Sequence, residues 1–261
     1  MRVVICTLFC ALGLLTKSIY GKTTVIDLGP YRFTERSDPG QSPQLEITHR
    51  SASHKEHLPI WSTVKDYPFL RLGDATMSRP PILNGNYQLD ETTKYLSDTV
   101  TVDTIFEEET DQKVVIYGQL LAADMELIAH YTLTFQVTNL ESQQIQFNVD
   151  IRPTDDCTTS IQNARSFLTY ATESDENFYG FGESFSFFNL KGRRVPILLS
   201  EQGVGRGEQP ITDYLNANVA QGVGGDWYTT YAPKPIYITN HNRTVFLNNS
   251  EVSFFDLTAT D

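Results

Sequence analysis

Cysteine is scarce, with three in 261 residues, and two of them, Cys6 and Cys10, lie in the first ten positions. Cys157 is therefore the one thiol of the body of the chain, which excludes an internal disulfide framework there and leaves the fold to stand on its core. A chain of this length can bury about 70% of its unfolded surface, so such a core is within reach. Asp155 and Asp156 precede Cys157 and would raise its pKa, so an activated nucleophile is not expected. Positive charge is also short: 20 Lys and Arg stand against 32 Asp and Glu, a net charge of -12. That balance repels phosphate backbones and anionic headgroups, which excludes nucleic acid and peripheral membrane binding as first expectations.

Long apolar runs are missing too. The most apolar stretch, Val3 to Leu15, follows Met1 and Arg2 and ends before Lys17, well short of the roughly 20 residues a spanning helix needs. It reads as a signal peptide over residues 1–21, with cleavage near Gly21, and no other segment could cross a bilayer. The sequons Asn242-Arg243-Thr244 and Asn248-Asn249-Ser250 agree with a secretory route, so Asn242 and Asn248 are the expected glycosylation sites and the destination is extracellular or lysosomal.

Helical periodicity is absent over any long stretch. From Thr99 the pattern alternates through Val100, Val102, Thr104 and Phe106, as in a half-buried strand. The acidic turn 107–111 then leads to Val114–Leu121, and Ile128–Val137 and Gln144–Ile151 continue the series as a four-stranded sheet. Leu121–Ile128 carries helix-favouring alanines, but its position between alternating runs favours a wide hairpin. Short strands are expected over Ser166–Ala171, Val195–Ser200, Ile236–Thr239, Val245–Leu247 and Val252–Leu257, with Leu45–His49 added near the start and a loop at 37–40. The fold class is all-β, an antiparallel two-sheet sandwich occupying residues 22–261 as one domain.

Residues 178–261 are under a third of the chain yet hold 14 of its 30 aromatics and nine of its 16 glycines. Aromatic faces stack on sugar rings, and glycine loops let backbone amides approach hydroxyls, so a saccharide site explains the combination. On composition alone a sandwich core with glycine turns is the better explanation. Two histidines, His54 and His57, flank Glu56 without a third ligand nearby, so no metal site is expected. The glycines at 203, 205 and 207 lack the Gly-Lys-Ser/Thr string of a phosphate loop, and Gly182-Glu183-Ser184-Phe185 lacks the glycine of a nucleophile elbow, so no cofactor is expected.

Phe178-Tyr179-Gly180-Phe181-Gly182-Glu183, with Phe187-Phe188-Asn189-Leu190-Lys191-Gly192, resembles the N-terminal domain of glycoside hydrolase family 31, the α-glucosidase family. The strings Ser200-Glu201-Gln202-Gly203-Val204-Gly205-Arg206-Gly207 and Gly224-Gly225-Asp226-Trp227-Tyr228 are similar to the branch that includes the sulfoquinovosidases. Ser184 departs from the glutamine expected after Gly-Glu. The resemblance implies a galactose mutarotase-like sandwich in which Asp226 accepts hydrogens from sugar hydroxyls, Arg206 and Gln202 neighbour it on a second loop, and Trp227 and Tyr228 stack on the ring. Structural alternatives stand beside these roles: Asp226 as a turn cap and Arg206 as a partner of Glu208.

In that family a retaining mechanism uses two carboxyls about 5 to 5.5 Å apart, both on a (β/α)₈ barrel. No such alternation of strands and helices occurs here, so the expectation is a truncated chain without catalytic residues, its sandwich short of its last strands. Its partners are then an α-glycoside together with the absent barrel. Two other readings remain open: a stand-alone secreted sugar-binding module and a structural sandwich with no sugar affinity.

Overall fold

The structure, a computed structural model, describes residues 21–50, 59–78, 90–108, 112–139 and 144–258. The signal-peptide segment, the His54/His57 loop and part of the acidic turn at 107–111 lie outside the described residues. Strands β1 (Lys22–Leu28), β2 (Tyr31–Ser37), β3 (Gln44–His49) and β4 (Trp61–Ser62) form one antiparallel sheet in that order. This sheet fills the stretch that sequence patterning leaves unplaced apart from Leu45–His49 and the loop at 37–40. A second sheet is formed by β7 (Thr99–Val100), β8 (Thr104–Glu108), β9 (Lys113–Leu121), β10 (Leu127–Asn139) and β11 (Gln144–Pro153).

Alternation explains why these two sheets meet. Every second residue of β10, from Ala129 through Tyr131, Leu133 and Phe135 to Val137, is buried, and Tyr31 and Phe33 of β2 are buried likewise. Phe33 and Trp61 of the first sheet pack on Phe135 of the second, with ring centroids 5.9 and 5.1 Å apart. These contacts are the centre of the larger core, and the sandwich expectation is met.

The expected single strand from Thr99 to Phe106 is two strands instead. Both β7 and β8 pair with β9, and the ladder breaks at residues 101–103 opposite Gly118. There the Thr101 carbonyl presses on Gly118 and accepts the Tyr131 hydroxyl at 2.6 Å, while the Thr101 hydroxyl accepts Gln119 N at 3.0 Å. Side-chain bonds thus replace part of the ladder, and Phe106 ends up 54% exposed rather than half-buried. Leu121–Ile128 is a hairpin connection, with Ala122 N bonded to Glu126 O.

A third sheet, in the order β12-β5-β6, comprises β12 (Ala164–Leu168), β5 (Leu70–Ser78) and β6 (Asp90–Tyr95). Beyond it lies a smaller core of Phe178, Phe181, Leu190, Val195 and Tyr237. It is built by β13 (Phe178–Gly182), β15 (Pro233–Thr239) and β16 (Thr244–Phe246), with the pair β14 (Arg194–Ile197) and β17 (Ser253–Asp256). Each expected late strand has a counterpart: β12 starts two residues earlier and ends at Leu168, and β14 and β17 are two residues shorter. Strand β15 starts three residues earlier and β16 is displaced by one, while β13 is not among those expected. Among the described residues the two helices are short, α1 (Asp155–Ser160) and α2 (Ile211–Asn218), and no helix there is long and apolar enough to cross a membrane.

The two cores are stitched together by polar bonds. Thr169 N and Ala171 N bond to the carbonyls of Phe69 and Ser62, at 2.8 Å each. The fully buried Glu176 carboxylate pairs with Arg243, whose Nη1 also reaches the Ile60 carbonyl. Tyr170 and Tyr237 share a hydroxyl contact in the same seam.

Candidate functional site

Two loops and one helix build the site. The segment Gln202–Gly207 lies backbone to backbone against Gly224–Asp226, and α2 closes one side. A Cβ on Gly203 would strike the backbone of Gly225, and one on Gly225 would strike the Gln202 carbonyl. Both residues also have positive φ, +70° and +71°, so glycine is required twice over. The close approach is held by Arg206 N donating to Gly224 O at 2.7 Å and Gly207 N to Thr212 Oγ1 at 2.9 Å. Asn216 of α2 accepts Gly224 N at 2.8 Å, while the buried Thr229 hydroxyl donates to Gln202 O at 2.6 Å and accepts Asp226 N at 3.1 Å.

On this base the polar side chains form a chain of contacts. Arg206 Nη2 donates to Gln202 Oε1 at 2.9 Å, and Gln202 Nε2 donates to Glu183 Oε2 at 3.2 Å. The Arg206 guanidinium lies over the Phe185 ring at 4.0 Å, a cation–π contact. Sequence reasoning places Arg206 and Gln202 as neighbours, and they are in direct contact. No Arg206–Glu208 ion pair exists among the described residues, so that structural alternative falls.

Asp226 fills the turn-cap role weighed for it. Its Oδ1 accepts Trp227 N at 2.7 Å and so shapes the turn to Thr229, whose N bonds to Asp226 O at 3.1 Å. Oδ2 makes no hydrogen bond among the described residues and is not sealed from solvent, which leaves one carboxylate oxygen open to a ligand donor.

Trp227 packs against the smaller core, edge-on to Phe187 at 5.8 Å and to Tyr228 at 5.4 Å. Arg193 stacks on Phe187 at 3.5 Å and braces the pair. Much of the indole is therefore structural. Trp227 and Tyr228 nevertheless line a shallow depression with Glu183, Ser184, Pro196 and Thr230.

Three further participants escape sequence reasoning. Glu183 sits in the Gly-Glu string, but only the fold brings it to Gln202. Glu201 accepts the Tyr231 hydroxyl, and that carboxylate bond holds the phenol pKa above its ordinary value. Large apolar side chains of the flanking segments are exposed: Phe188 at 84%, Val204 at 75%, and Ile211 and Tyr214 of α2. No group of three His, Cys, Asp or Glu among the described residues could hold a metal ion.

Comparison with known proteins agrees with this geometry. The family model of the glycosyl hydrolase 31 N-terminal galactose mutarotase-like domain matches residues 82–256. The sulfoquinovosidase of Escherichia coli (strain K12) is 33% identical over 102 residues, 39% of this chain and 15% of that protein. The sulfoquinovosidase of Agrobacterium fabrum is 35% identical over 92 residues, 35% of this chain and 14% of that protein. A solved family 31 sulfoquinovosidase from E. rectale, in complex with an aza-sugar inhibitor, shares the fold with a TM-score of 0.56 at 17% identity, covering 90% of this chain and 29% of that one. The matched part is thus a small fraction of each relative. Its sandwich, its interlocked glycine loops and the match across two thirds of its length together show that this chain belongs to the glycosyl hydrolase 31 N-terminal galactose mutarotase-like domain family.

Proposed function

We propose that this chain is the carbohydrate-binding N-terminal portion of a family 31 α-glycosidase, presenting the 202–228 loops to a sugar beside a catalytic barrel. The observation that carries this reading is the open Asp226 Oδ2, held in place by the Gly203/Gly225 crossing and flanked by Arg206, Gln202, Trp227 and Tyr228. A carboxylate oxygen, an amide and a guanidinium within one rigid loop pair offer both acceptors and donors to sugar hydroxyls. The exposed apolar side chains of Phe188, Val204, Ile211 and Tyr214 offer surface to a neighbouring domain.

Chemistry in this reading belongs to a carboxyl pair on the barrel. The described residues contain no (β/α)₈ barrel. The 261-residue chain is then expected to release no sugar from an α-glycoside. The test uses a longer family 31 protein carrying this domain, titrated with a monosaccharide before and after Asp226→Ala. A loss of affinity of tenfold or more, roughly 1.4 kcal/mol, supports the assignment, and unchanged affinity removes it.

Entry into the secretory pathway is part of the same proposal. Asn242 is exposed in the turn between β15 and β16, and Asn248 is exposed after β16, so both are accessible to an oligosaccharide. A mass decrease on endoglycosidase treatment of protein from secreting cells, abolished by Asn242→Gln with Asn248→Gln, is the expected result.

A further inference from the structure

Ten arginines lie among the described residues, and six are paired with a carboxylate. The other four, Arg71, Arg193, Arg194 and Arg206, lie over aromatic rings. Arg193 and Arg206 also donate side-chain hydrogen bonds, to Lys191 O and Gln202 Oε1, whereas Arg71 donates none among the described residues. Its guanidinium packs against two tyrosines, 4.5 Å from the Tyr67 ring and 4.7 Å from the Tyr95 ring. Tyr95 is itself fixed edge-on against Phe167, 5.1 Å away, the residue opposite Arg71 in the ladder of β12 and β5.

The stack fixes the plane of the guanidinium while leaving its hydrogen-bonding edge unused. Among the described residues Arg71 Nε is sealed from solvent and has no acceptor, and Nη1 and Nη2 are not sealed and make no hydrogen bond or ion pair. In a chain with 32 acidic residues, a guanidinium that pairs with no described carboxylate stands out. A buried, unbonded charged donor is destabilising in itself, and the planar fork of arginine matches a carboxylate or sulfate better than any neutral group. The two phenol rings are 37% and 45% exposed, so a hydroxylated ring carrying the anion has aromatic surface on either side.

We infer that Arg71, clasped by Tyr67 and Tyr95, is the anchor of a second ligand site, which takes a carboxylate or sulfate group carried on a sugar ring. It lies on the β12-β5-β6 sheet, not on the 202–228 loops, and does not depend on the role proposed for those loops. The net charge of -12 opposes any anion at long range, so affinity is modest and rests on the local fork and stack.

The experiment is a titration of the protein with D-glucuronate, D-glucose 6-sulfate and D-glucose, followed by NMR of labelled tyrosine rings. Saturable shifts of Tyr67 and Tyr95 with at least one charged sugar, and none with glucose, are expected. The two charged arms tell whether carboxylate or sulfate is preferred. Arg71→Gln weakens that binding at least tenfold. Arg71→Lys keeps the charge and the stem but loses the planar fork, and weakens it several-fold; it serves where the glutamine variant does not fold. The absence of saturable shifts, equal shifts with glucose, or wild-type affinity in a folded Arg71 variant overturns the inference.

Discussion

The Glu176 carboxylate is the most consequential ionised group in the described chain, because it is fully buried and both oxygens face Arg243. Burial pushes its pKa up, but the hydrogen bonds from Arg243 and Thr239 outweigh this, and the net direction is below the usual carboxylate value. A depressed folded pKa means that the pair stabilises the fold above the unfolded value near 4.5, and that this stability is lost as pH falls through the folded value. Arg243→Met strands the carboxylate and is expected to destabilise the fold by about 3 kcal/mol at pH 7. Protonation relieves the stranded charge, so the gap between variant and wild type narrows toward pH 4 in urea denaturation; a gap that widens on acidification refutes the account. Cys157 illustrates a direction reached through the wrong cause. Its thiol pKa is raised, but by burial first and then by Glu126 and Asp74, which the fold brings near it, rather than by Asp155 and Asp156 beside it in the chain.

Among the elements, the junction of β7, β8 and β9 shows where alternation stops being a guide. Opposite Gly118 the ladder yields to the Thr101 carbonyl and the Tyr131 ring, whose Cε1 would lie 2.6 Å from an added Cβ. Gly118→Ala is therefore expected to cost about 3 kcal/mol, because the collision is with backbone and with a tyrosine held in the core. A midpoint of thermal unfolding within a degree of wild type would show that the interruption is pliable. Strands β10 and β11 were legible from period-two patterning, and β9 as an apolar segment, buried on both faces from Val114 to Ile116. The break between β7 and β8 was not legible, since Phe106 satisfies the pattern in sequence while in space it packs edge-on to Tyr117, at 5.7 Å, and stays exposed. In β1 and β2 the alternation is short, with Asp27 and Arg32 outward between Ile26, Leu28, Tyr31 and Phe33, and charge reaches an inward position at Glu35. Glu35 obscures it further by pointing into the core with one oxygen unbonded.

For the molecule as a whole, two cores of unequal size account for both its stability and its exposed rim. The larger core is closed by two facing sheets, whereas the smaller one leaves Phe185, Phe188, Val204 and Tyr214 at the surface beside the candidate site. Exposed apolar side chains bind hydrophobic dyes, so the isolated chain is expected to bind ANS in its folded state. The double substitution Phe188→Ser with Val204→Ser is expected to reduce that fluorescence at least twofold with the melting temperature unchanged. Dye binding that survives the substitution places the apolar surface elsewhere. The all-β class, most strand positions, the absence of long helices and the Gln202–Arg206 neighbourhood were determined by sequence alone, because period-two patterning, β-branched content and short-range spacing act locally. Which carboxylate meets which guanidinium, which glycines must touch, and which oxygen of Asp226 stays open were decided only by tertiary structure. Those outcomes depend on segments 19 to 183 residues apart meeting in space, and no local pattern encodes that distance.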